Sequence, residues 1–225
     1  MRIASETLFR LSTGAMQTQT AQLAQVQTQI ASGRQFQHAH EAPAAAARVV
    51  EWEAAQTRRQ GQGDAADRVQ HRLGLSENAL GDARNILDRV NELMISAGNA
   101  ALNADDRATL AGEVGVLAEE WERLANARDG VGQPLFAGTS LDDAFVAGVY
   151  QGTPDNRQVE VADGQRIRDG VTGERVFGDP TGQSSFQWLA DAQAAMLEPD
   201  AALRTAALDT ARGGLTAVGL NVESA

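Results

Sequence analysis

His38 and His40 form a His-x-His pair, an arrangement that on a strand sends two imidazoles toward one metal ion. No carboxylate or further His is placed to complete the set, and Gln35–Ala42 reads as a loop. The third histidine, His71, lies on the polar side of a helical pattern and reads as solvated. Of the acidic pairs, Asp105-Asp106 fits a helix N-terminus, where the dipole favours negative charge. Glu119-Glu120 fits a solvated helix face, and Asp142-Asp143 a loop. There is no G-x-S-x-G, no Walker A and no G-x-G-x-x-G between a strand and a helix. Trp52, Trp121 and Trp188 sit on helical stripes and read as packing residues. No Cys is present, which excludes disulfides, thiolate catalysis and Cys-type zinc sites. These residues nominate no catalytic, cofactor or metal site, and the chain does not read as an enzyme.

The bulk chemistry narrows the remaining classes. The 225 residues carry a formal charge of −11, and all 19 basic residues are Arg. An acidic chain without a basic cluster argues against nucleic acid and against an anionic membrane surface. No run of about 18 apolar residues exists to span a bilayer. The opening MRIASETLFRLSTGAM lacks the apolar core of a secretory signal, so we expect a cytoplasmic protein or one exported without a cleavable signal. Aromatics are only 4%, which suits elongated helical packing better than a catalytic core.

What does repeat is helical spacing. In Ala66–Ala97 the apolar positions step by three and four through Ala66, Val69, Leu73, Leu80, Ala83, Leu87, Val90, Met94 and Ala97, broken only by Ser76. Ala79, Ile86 and Leu93 form a second stripe beside it, so the face is wide enough for two neighbours. Upstream, Leu11–Gly33 carries no charge and is dominated by Gln and Thr. Phe9, Met16, Leu23 and Ile30 recur every seventh residue, with Leu8, Ala15 and Val26 beside them. A solvated face normally carries Glu and Lys. A Gln/Thr face costs less to desolvate against another chain, so this stretch reads as exposed in the monomer and covered in an assembly. Gly33 ends that helix and Pro43 opens the next. Whether helix runs through Gln60–Gly63 is open at this stage. Asn103 and Asp106 form a capping box for a helix carrying Leu110, Val114, Leu117, Trp121 and Leu124, which should fold back on the long one.

From Val131 to Asp179 the composition shifts to Gly, Val and turn residues. Leu135–Gly138, Phe145–Gln151 and Gln158–Val161 read as short strands, with Val176-Phe177 closing the region and turns at Asp163-Gly164 and Gly178-Asp179-Pro180. Helical spacing returns at Phe186, Leu189, Met196 and Leu203, then Leu208, Ala211, Leu215, Val218 and Val222. The stripe still runs at Val222, which reads as a helix cut short.

Several segments in order resemble the flagellin superfamily, and within it the hook–filament junction family. They are MRIASETLFR, Gln29-Ile30-Ala31-Ser32-Gly33-Arg34, Ala42-Pro43-Ala44-Ala45-Ala46-Ala47-Arg48, LDRVNELMISAG over 87–98, Leu124-Ala125-Asn126-Ala127-Arg128-Asp129, Leu135-Phe136-Ala137-Gly138 and Val149-Tyr150-Gln151-Gly152. The match is close to about Gly152 and looser beyond. It implies a structural subunit of the bacterial flagellum that joins hook to filament. It further implies export through the flagellar apparatus to an extracellular place in the axis, with an export chaperone. The implied partners are the adjacent hook-associated junction protein, flagellin and copies of this chain, with no nucleic acid and no membrane. The family's last helical segment is then absent here.

The expected fold is mainly α: a long antiparallel helical bundle with amphipathic terminal helices and a small inserted β domain. Its parts are an inner-core helix and loop at 1–42, a rod with a β-hairpin at 43–138, an outer β domain at 139–183 and a returning rod helix at 184–225. The expected assembly interface is Leu8, Phe9, Met16, Leu23, Val26, Ile30, Leu215, Val218 and Val222. No cofactor is expected. Two alternatives stand beside this reading: flagellin itself, and a ligand-binding or enzymatic β domain.

Overall fold

A computed structural model of the chain describes residues 2–33, 35–36, 41–178 and 184–224, with backbone alone for 2–6. His38, His40, Arg34 and the Asp179-Pro180 turn lie outside the described residues. Packing divides the chain into two units, Met1–Gln60 and Gly61–Ala225.

The first unit contains helix α1 (Arg2–Ser32), which begins upstream of the charge-free stretch. Its interior threonines are poor helix formers unless the hydroxyl finds an acceptor. Thr13, Thr18, Thr20 and Thr28 each donate to the carbonyl four residues back, at 2.7–2.9 Å. Gly33 stops the helix at φ +64°, a left-handed conformation that costs Gly nothing. Pro43 then opens α2 (Pro43–Ala97) at the position where its missing N–H is harmless.

The second unit begins inside α2, and helix runs through Gly61 and Gly63 without a break. In this unit α2 buries Ala65, Val69, Arg72, Ser76, Ala79, Ala83, Ile86, Val90, Leu93 and Ala97. Those ten alternate by four and three, an unbroken heptad seam. Helix α3 (Ala104–Ala125) starts at the expected capping box, the Asp106 amide donating to the Asn103 side chain at 2.8 Å. It is followed by β1 (Phe145–Val146), β2 (Val149–Tyr150), β3 (Gln158–Ala162), β4 (Gln165–Arg168), α4 (Gly173–Val176), α5 (Ser185–Leu197) and α6 (Ala201–Glu223).

Four helices close into an antiparallel ring. Arg89 of α2 pairs with Glu113 of α3 at 2.7 Å. Trp121 of α3 donates to Ser185 at 2.9 Å, and Gln193 of α5 to the Ala111 carbonyl at 3.0 Å, which fixes their opposite directions. Trp188 of α5 donates to the Ala211 carbonyl at 2.6 Å, and Glu223 of α6 returns to Arg84 of α2 at 3.0 Å. Both buried indole N–H groups therefore have acceptors, as burial requires.

The β region is two separate antiparallel hairpins, β1–β2 and β3–β4. Ala147 and Gly148 turn the first with φ 51° and 75°, the sign pattern of a type I′ turn. Two expected strands do not form. Leu135–Gly138 is a looped segment whose Leu135, Phe136 and Ala137 are buried, and Val176 ends the short helix α4. Their apolar runs are short because they plug the bundle, not because they ladder. Phe177 stands edge-on to Trp121, Phe136 and Phe145 at 5.2, 5.1 and 6.0 Å. The loop aromatics and the bundle helices thus share one core.

Candidate assembly surface

The first unit forms helix but, among its described residues, no buried core. From Thr7 to Gln60 no described side chain is buried. On α1, Leu8, Phe9, Met16, Leu23 and Ile30 are 62–77% exposed and Val26 is half-exposed. Phe9, Met16, Leu23 and Ile30 recur at heptad spacing, which keeps them on one helix face. An isolated helix draws most of its stability from packing of its apolar face. Covering a side chain of this size contributes about 1.5–3 kcal/mol. From Leu11 onward the helix is uncharged, and its four bonded threonines ask for no new hydroxyl acceptor.

The other three nominated residues sit elsewhere. Val218 and Val222 of α6 are buried at 6% exposure, and Leu215 packs half-buried against the same core. They complete the second unit's own bundle, so an interface made by them would first have to open it. Sequence spacing could not separate the two cases, since both stripes step by three and four. What separates them is the polar side. Around α6 it holds Asp209, Arg212 and Glu223, whereas around α1 it holds only Gln, Thr and Ser after Arg10.

Trp52 is a correction. Trp121 and Trp188 are packing residues as expected, but Trp52 is 77% exposed, with Val49 and Val50 beside it also exposed. The first unit therefore carries apolar surface on both of its helices.

The second unit holds a buried ionic cluster that no sequence motif announces. Arg72, on the heptad seam, is 5% exposed. It pairs with Asp129 at 3.0 Å and Asp169 at 3.5 Å, and donates to the Pro134 and Leu135 carbonyls. Arg157 binds Asp169 from the other side and also reaches Gln133. Burial pushes the Arg72 guanidinium below its ordinary value, assisted by Arg157 and opposed by the two aspartates. Burial alone would raise the Asp129 carboxyl, but the Gln133 and Val131 amides together with Arg72 hold it below its ordinary value. The signal was present: the Ala79–Ile86–Leu93 stripe continues back by sevens to Arg72 and Ala65.

The groups first considered for chemistry remain apart. His71 is exposed, as are Glu119, Asp142 and Asp143, and Asp143 is engaged by Arg128 at 2.7 Å. Among the described residues no three His, Asp or Glu side chains gather to hold a metal ion. Among them, too, no helix is long and apolar enough to cross a membrane.

Comparison with known proteins gives this arrangement a lineage. Flagellar hook-associated protein 3 of Salmonella typhimurium is 25% identical over 184 residues, covering 80% of this chain and 58% of that protein. The Escherichia coli protein of the same name is 25% identical over an alignment of 236 positions, covering 96% of this chain and 74% of that one. The chain thus spans less than two-thirds of the Salmonella protein's length. The crystal structure of Xanthomonas campestris FlgL superposes with a TM-score of 0.69 at 22% identity, over 76% of this chain and 90% of that one, and so shares the fold. The family model for the bacterial flagellin N-terminal helical region matches residues 8–140. That stretch takes in most of α1, all of α2 and α3 and more than half of the 225 residues, so the chain belongs to the bacterial flagellin family.

Proposed function

We propose that this chain is a structural subunit of the flagellar axis that joins hook to filament, acting by helix packing and without catalysis. One observation carries the reading: a 31-residue helix whose apolar heptad face is exposed and whose back carries no charge from Leu11 onward. Such a helix is stable only when covered, and uncharged flanks make covering cheap. The interface comprises Leu8, Phe9, Met16, Leu23, Val26 and Ile30, extended by Trp52. Leu215, Val218 and Val222 join it only in an assembled state that repacks α6. The segments then divide the work as an inner helix at 1–42, a rod at 43–138 and 184–225, and an outer region at 139–183.

The partners are copies of this chain, the adjacent hook-associated junction protein and flagellin, with an export chaperone before assembly. The place of action is the flagellum outside the cell, reached without a cleavable signal. The relatives named above are hook-associated proteins, which supports the junction role over that of the filament subunit. Deleting the gene in its host tests this. The junction role requires intact hooks, no attached filaments and flagellin shed to the medium. Loss of hooks, or filaments still attached, would overturn it.

A further inference from the structure

In the second unit the apolar core runs from Ala79 of α2 through the bundle and the plugging aromatics. The β3–β4 hairpin stands outside it. None of its strand residues is buried, and a two-stranded ribbon alone is marginal in water. Yet the residue that follows it, Asp169, is 3% exposed. Its carboxylate accepts from Arg157 and forms an ion pair with the buried Arg72 Nε at 3.5 Å, and its amide donates to the Arg157 carbonyl. Arg72 simultaneously holds Asp129 and the Pro134 and Leu135 carbonyls, so one side chain ties α2, the 128–135 loop and the hairpin's end together. A second polar tie from α2 to the hairpin lies at its tip, Gln62 to Asp163 at 2.8 Å, and it is exposed.

The geometry points to Arg72 as a latch: the buried Arg72–Asp129–Asp169–Arg157 cluster, in place of an apolar core, fixes the β3–β4 hairpin against the rod. An apolar side chain at this seam position would pack α2 as well as its neighbours do, but it could not orient two acidic segments at once. Buried ion pairs are poor sources of net stability, and their best-attested use is to specify one arrangement over others. The latch accordingly governs the hairpin's orientation and leaves the bundle's stability to the core beyond Ala79. The four charges cancel, so the cluster closes on itself and presents no net charge to a ligand.

The test is hydrogen exchange on the full chain, comparing peptides covering 157–169 with those covering 79–97 and 111–125. Arg72→Met should raise exchange in 157–169 at least tenfold and leave the bundle peptides unchanged. Asp169→Asn keeps the side-chain volume and the Arg72–Asp129 pair, and should give the same selective rise at smaller size. If Arg72→Met does not fold, Asp169→Asn decides alone. Unchanged exchange in 157–169, or hairpin and bundle loosening together in Asp169→Asn, would overturn the latch.

Discussion

Replacing Leu23 and Ile30 by Ala should abolish assembly while sparing the monomer. The two side chains are 62% and 77% exposed, so the folded chain draws little from them. Full burial of such a residue is worth about 1.5–3 kcal/mol, of which roughly two-thirds is still available to a partner. The pair therefore supplies about 2–4 kcal/mol of association per copy. At about 1.4 kcal/mol per factor of ten, the loss is between about 30-fold and several hundred-fold in affinity. Surface substitutions away from special features fall within about 0.5 kcal/mol, so thermal unfolding of the isolated chain should not move beyond that. Val218→Ala with Val222→Ala is the converse pair. Both side chains are buried in the second unit, and removing them should cost the monomer a few kcal/mol through lost burial and residual cavity. The assay is twofold: binding of the purified chain to isolated hooks across a concentration series, and calorimetric melting of the chain alone. Unimpaired binding by the Leu23/Ile30 variant, or a melt lowered as far as that of the Val218/Val222 variant, would refute the division of labour between α1 and α6.

Adjacent glycines of α6 should respond to Ala with opposite signs. A Cβ on Gly213 meets nothing within 4 Å, so Gly213→Ala should stabilise by about 1 kcal/mol; one on Gly214 would lie 2.7 Å from the Trp188 ring, so Gly214→Ala should cost about 1–3 kcal/mol, both read by denaturant melts. Tyr150, the only tyrosine, is pushed up to about 12 by burial and then by Glu174, so the phenolate band should rise near that pH and not near 10. Because the folded value is the higher one, this stability is present below about pH 10 and is lost as pH climbs toward 12; a phenolate titration midpoint near 10 in the folded chain would contradict it.

Sequence spacing reported the helices well because their cores obey it. The capping box at Asn103 and Asp106, the antiparallel return of α3 and the turn at Asp163-Gly164 were all readable from local residue types. Two kinds of feature were not. Leu135–Gly138 and Val176-Phe177 look like strands because short apolar runs do not distinguish laddering from plugging; only the ring of aromatics around Phe177 decides it. The sevenfold spacing marks the place of Arg72, but a charge on an apolar stripe reads as the stripe's edge, so its burial was not legible. Its partners Asp129 and Asp169 lie 57 and 97 positions away and come together only in the fold.

Trp52 and Val218 together explain why an interface is harder to read than a core. Both stand on helical stripes, and one is exposed while the other is buried. Periodicity states that a face must be covered, and it is silent on whether the cover comes from the same chain. The discriminating signal is charge. Helices that keep a solvated back need ionised residues there, as α2, α3 and α6 have. A helix whose back is Gln and Thr gives up that solubility, and the rest of the chain, at −11, must supply it. Under the proposed function, putting the net charge outside 11–33 would let the subunit resist premature association while leaving one helix cheap to desolvate at the site of assembly. On that argument, placing Glu at several of the Gln positions of α1 should hinder assembly even though no apolar contact is removed.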